Sequence, residues 1–472
     1  MNTEQMLGLT INELTAGFGD GKLSPVEVMQ AVLVQIRRLE PSVNAFVVGV
    51  NEDELMEQAE LSTKRWSSGK PLGLLDGVPL VIKDAIMCRG WPNRLGSRVT
   101  ATAIVHEDAP SVARVREAGA IILGKTTTPE FGWKGVTDSP LTGTTRNPWN
   151  LALTPGGSSG GAAAAVAAGM AYGAIGTDAA GSVRIPAAFC GLVGLKATRG
   201  RIATYPPSAL WTLGHIGPIT RDTRDAALML RIIGRADDRD WSSLPDEDVD
   251  YLAVFDRPLG QKLRVAYSPA LGHARVDSQV ADAVRRVAGL VEDLGAEVDE
   301  IDAPLMDARE HFRAYFAAGL CHSLRHLSEA DRECLDPGLC ALLARHAGDD
   351  RERFLKAYDF QIQLTREARL FHAQYDFLLT PTMATPPFMA NLAAPKGYDE
   401  ENWLDWSPFT YPFNLTGQPA ISIPCGLSRE GIPLAAQLVG GLYDDGRLLR
   451  FARAIERAQG QSVYLAPCLR TA

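Results

Sequence analysis

The block from Pro155 to Gly200 constrains this chain more than any other segment, because it is so rich in glycine, alanine and serine. Such a composition suits either a flexible linker or a place where backbones pass close together. The run Ala162 to Ala168, alanine with one valine, is a good helix former and argues against the linker. It leads into Ala171-Tyr172-Gly173-Ala174-Ile175-Gly176. The order expected is loop, buried helix, strand, loop, helix, with small side chains as the condition for close packing.

The flanking sequence supplies the framework. Ser24, Pro25 and Glu27 make a capping box, and Val28, Val32, Ile36 and Leu39 follow at helical spacing up to Pro41, where the helix is expected to stop. A polar helix is expected over 52–67. The run Val78 to Ile82 has strand length and composition, with Lys83-Asp84 at its C-terminal end. A helix over 111–118 ends at Gly119 and leads into a buried strand, 120–124. A second unit of this kind has strand 263–267, amphipathic helix 277–294 and half-buried strand 297–301. Residues 308–374 read as helical, 377–381 as strand, 408–441 as sheet, and 446–459 as a last helix. Alternation of this kind predicts an α/β fold with a sheet covered by helices.

Several function classes drop out. Acidic and basic residues are mixed along the chain, net charge -9, with no Lys/Arg block to follow a phosphate backbone, so no nucleic acid is expected as partner. No run of about 18 apolar residues occurs, and the N-terminus has no signal-peptide pattern, so no membrane association is expected. The seven cysteines form no CxxC pair, which suits reduced thiols and a cytoplasmic location. Cys321, His322 and His326 cluster, but nothing nearby completes a ligand set, so no metal is expected. The clusters Gly156-Gly157-Ser158-Ser159-Gly160-Gly161 and Gly176 to Ser182 match neither nucleotide-binding glycine pattern, so no cofactor is expected.

A serine nucleophile is the other use for such clusters. It needs a base and donors for the oxyanion. The tiny residues before Ser182 leave the N–H groups of Ala179, Ala180, Gly181 and Ser182 able to converge on one point. None of the eight histidines lies in a recognisable triad context, and His215, beside Gly214 and Gly217-Pro218, reads as structural. A desolvated lysine can serve as base instead. Lys83, ending an apolar run, suits that role, although a lysine after a strand is more often a solvated end residue.

Taken together, Lys83, the GGSSGG cluster and GTDAAGSVRIPAAFCGLVGLKAT at 176–198 resemble the amidase signature family. Ser158 precedes Ser182 by 24 residues, the separation that family shows. The resemblance extends through Thr144 to Trp149, Gly217 to Arg221, Thr380 to Thr382 and Pro412 to Ala420. It implies a large mixed central β-sheet covered on both faces by helices, in a single domain spanning 1–472, with a catalytic core segment over 60–225 and a helical substrate-pocket lobe over 305–375. It further implies that Ser182 attacks an amide carbonyl, that Ser158, after a cis peptide bond from Gly157, relays protons, and that Lys83 is the base. Asp178 and Arg184 match positions that support the loop. The family usually has Thr-Gly-Gly-Ser where this chain has Ala179-Ala180-Gly181-Ser182, and Ala180 takes a positive φ less cheaply than glycine.

The substrate implied is a small-molecule carboxylic amide. Segment 128–135 resembles the stand-alone amidases. Pro92-Asn93, Trp133, Trp211, Trp403 and Trp406 lie beside family loops and are expected to line an apolar or aromatic acyl pocket. The alternative is the glutamine-hydrolysing subunit of a tRNA amidotransferase, which shares the same three catalytic residues; segment 126–133 departs from its pattern. Homodimers are common in the family, so the resemblance leaves a homodimer open.

Overall fold

Strand Pro433–Gly440 shows how the molecule is layered. Its side chains at Leu434, Ala436 and Leu438 enter one apolar core, and those at Ala435 and Val439 enter a second. Phe377 and Leu379 against Leu378, and Val265 and Tyr267 against Ala266, divide in the same way. Successive strand residues point to opposite faces, so these near-continuous apolar runs mark a sheet buried on both sides.

The computed structural model describes residues 2–48, 51–247, 250–257, 262–349, 351–399, 403–460 and 465–469. Its main sheet has ten strands, in spatial order Ile121–Thr126, Pro79–Lys83, Gly173–Asp178, His215–Thr220, Val193–Lys196, Ala420–Leu427, Pro433–Gly440, Phe377–Pro381, Arg264–Tyr267 and Glu297–Glu300. The first three run parallel, as do the last three, and the strands between them pair antiparallel. The fold is α/β with a large mixed sheet. Helices Thr223–Ile233, Ser278–Asp293 and Asp445–Ala458 contribute to the first core. The second core joins the helices of the 309–371 region to Trp403–Trp406 and Pro412–Leu415. Among the described residues no helix is long and apolar enough to cross a membrane.

The small-residue block folds as helix Gly160–Ala167, strand Gly173–Asp178, a loop, and helix Arg184–Cys190. Its composition has a local cause. A Cβ at Gly160 would lie 2.2 Å from Thr137 Oγ1, and one at Gly161 would lie 2.2 Å from Thr127 Oγ1.

Two local expectations change, and one strand runs through residues for which none was expected. Pro41 does not end its helix but sits inside the last turn of Pro25–Val43, which continues to Val43 despite the i→i−4 hydrogen bond that the missing N–H cannot make. Residues 412–415 form a helical turn within the stretch read as sheet. Gly217-Pro218, which looks turn-forming, lies inside strand His215–Thr220 near the sheet centre. Neighbouring strands impose that strand: Gly217 is needed because a Cβ there would meet Leu195 O at 2.2 Å. Gly217→Ala is therefore expected to destabilise the protein by about 2 kcal/mol, the usual scale of core overpacking. Urea unfolding measures this, and an unchanged midpoint would contradict the close approach.

Candidate active site

Lys83 is the last residue of a strand buried along its whole length. Its Nζ lies 2.7 Å from both Ser158 Oγ and Thr177 Oγ1. Burial lowers its pKa from 10.5 to about 7, against the opposing pull of Asp178 and Asp84. Near neutral pH a substantial fraction of this amine is uncharged and able to accept a proton.

Ser158 follows a cis Gly157–Ser158 peptide bond. Gly157 has no room for a side chain, since a Cβ would meet Val136 O at 2.7 Å. The next residue ties this loop to the second one: Ser159 N–H donates to Ser182 O at 3.2 Å. Ser182 lies in the loop between strand Gly173–Asp178 and helix Arg184–Cys190, and is nearly buried.

That loop is held from beneath by Asp178. Its carboxylate accepts from Gly181 N–H at 2.8 Å, Val183 N–H at 3.2 Å, Arg184 Nε and Nη2 at 3.0 Å each, and Asn414 Nδ2 at 2.9 Å. Arg184 also donates to Thr410 O, Gln437 Oε1 and Asn414 Oδ1 at 2.7–3.0 Å. Burial alone would raise the Asp178 pKa, but Arg184, with Asn414 and Lys196, holds it well below the usual carboxylate range. A carboxylate and a guanidinium thus stay charged in the interior because nearly every donor and acceptor they carry is used.

Lys83, Ser158, Ala179 and Ser182 all face one cavity of about 570 Å³. Its wall is mainly apolar, with Ile86, Met87, Leu95, Phe131, Leu210 and Leu324 among the lining residues. Among the described lining residues there is no arginine, and the basic side chains are Lys83, His215 and His326.

The family model described as Amidase matches residues 27–449. The chain belongs to the amidase signature family. It is 37% identical over 465 residues to an acylamidase of Rhodococcus erythropolis, covering 96% of each chain. It is also 33% identical to a glutamyl-tRNA(Gln) amidotransferase subunit of Alkaliphilus metalliredigens, covering 98% of each. Among solved structures, a bacterial aryl acylamidase superposes with a TM-score of 0.87 at 27% identity, covering 96% of each chain. A substrate complex of 6-aminohexanoate cyclic dimer hydrolase gives 0.89 at 28% identity, covering 98% of this chain and 100% of that one. This amidase is accordingly a hydrolase of C–N amide bonds.

Two expectations about the amidase site need correction. Gly181 N–H does not join the oxyanion donors, because Asp178 Oδ1 already accepts it. Gly181 instead supplies the turn, with φ +117° and a Cβ position 2.4 Å from Thr410 Oγ1. Ala180 does not take a positive φ, so alanine in place of the family's glycine carries no backbone strain there. The N–H groups of Ala179, Ala180 and Ser182 remain as candidate donors.

The tryptophans are the second correction. None of Trp133, Trp211, Trp403 and Trp406 lines the cavity that holds the two serines. Trp406 is buried against Phe189 and Phe388, Trp403 packs on Phe316, and Trp133 is buried under Gly338. Trp211 packs on Tyr315, Phe354 and His322 and faces a separate small cavity. Trp133, Trp403 and Trp406 belong to the second core, whereas Trp211 is exposed; Phe131 and the aliphatic side chains make the wall instead. Of the pair Pro92-Asn93, Asn93 reaches the cavity.

His215 lies across the sheet from Asp178, its Nδ1 2.8 Å from Leu213 O. Burial, then nearby Lys196, lowers its pKa well below the ordinary value, so it is neutral. His326 lines the cavity, whereas His322 lies against Trp211 with the rings tilted. Thr177, Thr410, Asn414 and Gln437 escaped the sequence reading, although Thr177 and Asn414 lie inside segments that carry the family resemblance. Single polar residues carry no local signal of a partner about 90 to 250 positions away in the chain.

Arg184→Leu would leave the Asp178 carboxylate buried without its cation. A loss of about 3–5 kcal/mol in unfolding free energy is expected. Guanidinium denaturation checks this, and a loss under about 1 kcal/mol would contradict the account of the loop.

Proposed function

We propose that this chain is a stand-alone amidase for uncharged small-molecule amides with an apolar acyl group, acting through an acyl-enzyme on Ser182. The observation that carries the reading is the buried Lys83 Nζ, 2.7 Å from Ser158 Oγ, on the floor of a mainly apolar cavity that also contains Ser182. Neutral Lys83 takes a proton from Ser158, which takes one from Ser182 as Ser182 Oγ bonds to the carbonyl carbon. The developing oxyanion is held by backbone N–H groups of Ala179, Ala180 and Ser182. As the C–N bond breaks, the proton returns through Ser158 to the leaving nitrogen, giving an amine or ammonia. Water then attacks the acyl-enzyme by the same relay and releases the carboxylate.

The lining also favours this substrate class over glutamine. Glutamine brings a free α-carboxylate into the pocket, and no arginine among the described lining residues is there to pair with it. A glutamine-hydrolysing subunit of a tRNA amidotransferase remains the second reading, on the strength of the 33% identity to one such protein.

The purified chain, without other subunits, is expected to hydrolyse aliphatic or aryl anilides of apolar acids and to leave glutamine nearly untouched. Fast glutaminase activity with no anilide turnover would select the second reading. Ser182→Ala is expected to form no adduct with a fluorophosphonate probe; labelling of that variant would remove Ser182 as nucleophile.

The pH dependence follows from the proton on Lys83. The reactive form is the neutral amine, so kcat/KM should rise with pH through about 7 and level off above it. Lys83→Ala should lose several orders of magnitude in rate while keeping the native circular dichroism spectrum. Near-normal turnover in that variant would exclude lysine as the base.

A further inference from the structure

Asn93 brings an amide into a cavity whose wall is mainly apolar, and a buried lysine fixes which way round that amide sits. Lys125, wholly buried on strand Ile121–Thr126, donates from Nζ to Asn93 Oδ1 at 3.2 Å and lies 3.6 Å from Asp84 Oδ1. An ammonium carries donors only, so the Asn93 oxygen faces Lys125 and the NH2 end is left over. That Nδ2 has no hydrogen-bond partner among the described residues.

The loop that carries the amide is anchored on both sides. Pro92 bridges to Ile104 before it. After it, the Asp84 carboxylate accepts from Arg94 N–H at 3.2 Å and from Gly96 N–H at 2.9 Å. Leu95 O accepts from Phe131 N–H at 2.8 Å, and both of those residues line the cavity. Thr100 and Ser323, also in the lining, donate their hydroxyls to Arg94 O at 2.7 Å and Gly319 O at 2.8 Å. The Asn93 NH2 is by contrast an uncommitted donor on a fixed loop. Such a donor bonds water while a cavity is open. A substrate that fills the cavity excludes that water, and leaves the NH2 unpaired unless it brings an acceptor of its own. A donor already held in place adds this selectivity with little ordering cost.

We propose that Asn93 is a specificity-determining residue, its NH2 donating to an oxygen or nitrogen acceptor that the substrate carries apart from the scissile carbonyl. The favoured substrates are then amides whose apolar part bears one such acceptor, an ether or a ketone for example, over amides built of plain hydrocarbon. The acceptor can stand on the acyl chain or on the amine, since the chemistry is the same for both. This inference rests on the Ser182 amidase reading given above.

Two series of amides, hexanoyl anilides and N-hexyl acetamides, distinguish the acyl chain from the amine when one ether oxygen replaces successive methylenes. The preference is kcat/KM for each ether over its hydrocarbon parent. Comparing that preference between enzymes cancels the intrinsic reactivity of each amide. Asn93→Asp keeps an oxygen for Lys125 and removes only the donor. At one ether position the wild-type preference is expected to exceed that of Asn93→Asp by about tenfold, the scale of a single hydrogen bond. Asn93→Leu should lose the preference as well, with circular dichroism verifying the fold of each variant. A preference that stays within about twofold of wild type in both variants, at every position of both series, would overturn the inference. Labelling of Ser182 by alkyl and ether-bearing fluorophosphonates reads the same preference without amide turnover. Labelling that responds to residue 93 in an enzyme inactive on every amide would remove the amidase reading and keep this inference. Amide turnover with no such response in either measurement would do the reverse.

Discussion

The buried pair of Asp178 and Arg184 is the interaction on which the site depends. It joins the end of a central strand to the start of the next helix, with the Ser182 loop between them. Its remaining donors and acceptors reach Thr410, Asn414 and Gln437, more than 200 residues away in the chain. Two charges in an apolar interior are costly unless each is fully hydrogen-bonded. Meeting that condition fixes the course of four separate segments, and the loop geometry follows from it.

The same interior conditions act on Lys83 with the opposite result. Asp178 has a guanidinium within bonding distance and stays ionised, whereas Lys83 has only hydroxyl partners and loses charge near neutrality. Asp84 does not rescue it, and pairs with Lys125 at 3.6 Å instead. Two neighbouring residue types that are both charged in water are thus driven apart by their immediate partners, which is how acid–base roles become separated in one site.

Much of this was legible in the sequence because it rests on local rules. Alternating apolar runs and helical periodicities marked most strands and helices to within a residue or two, and small residues at 155–200 marked a place of close backbone approach. The 24-residue interval between Ser158 and Ser182, with Lys83 after its apolar run, marked the candidate relay. The strand His215–Thr220 was not legible, because Gly217 and Pro218 are poor strand formers and only the flanking strands hold them extended. The tryptophans misled for a related reason. Nearness to a functional loop in sequence does not say which side of the sheet a side chain enters.

By itself, the sequence determined the family, the α/β alternation, and the residues around which the site is built, since each depends on residue identity and spacing along the chain. The tertiary structure decided what those residues can do. Only folding removes water from Lys83 and so lowers its pKa. Only folding turns Gly181 N–H toward Asp178 and away from any oxyanion, and relieves Ala180 of a conformation it could not easily adopt. Those outcomes depend on distances between residues remote in the chain, and a linear pattern holds no record of such distances.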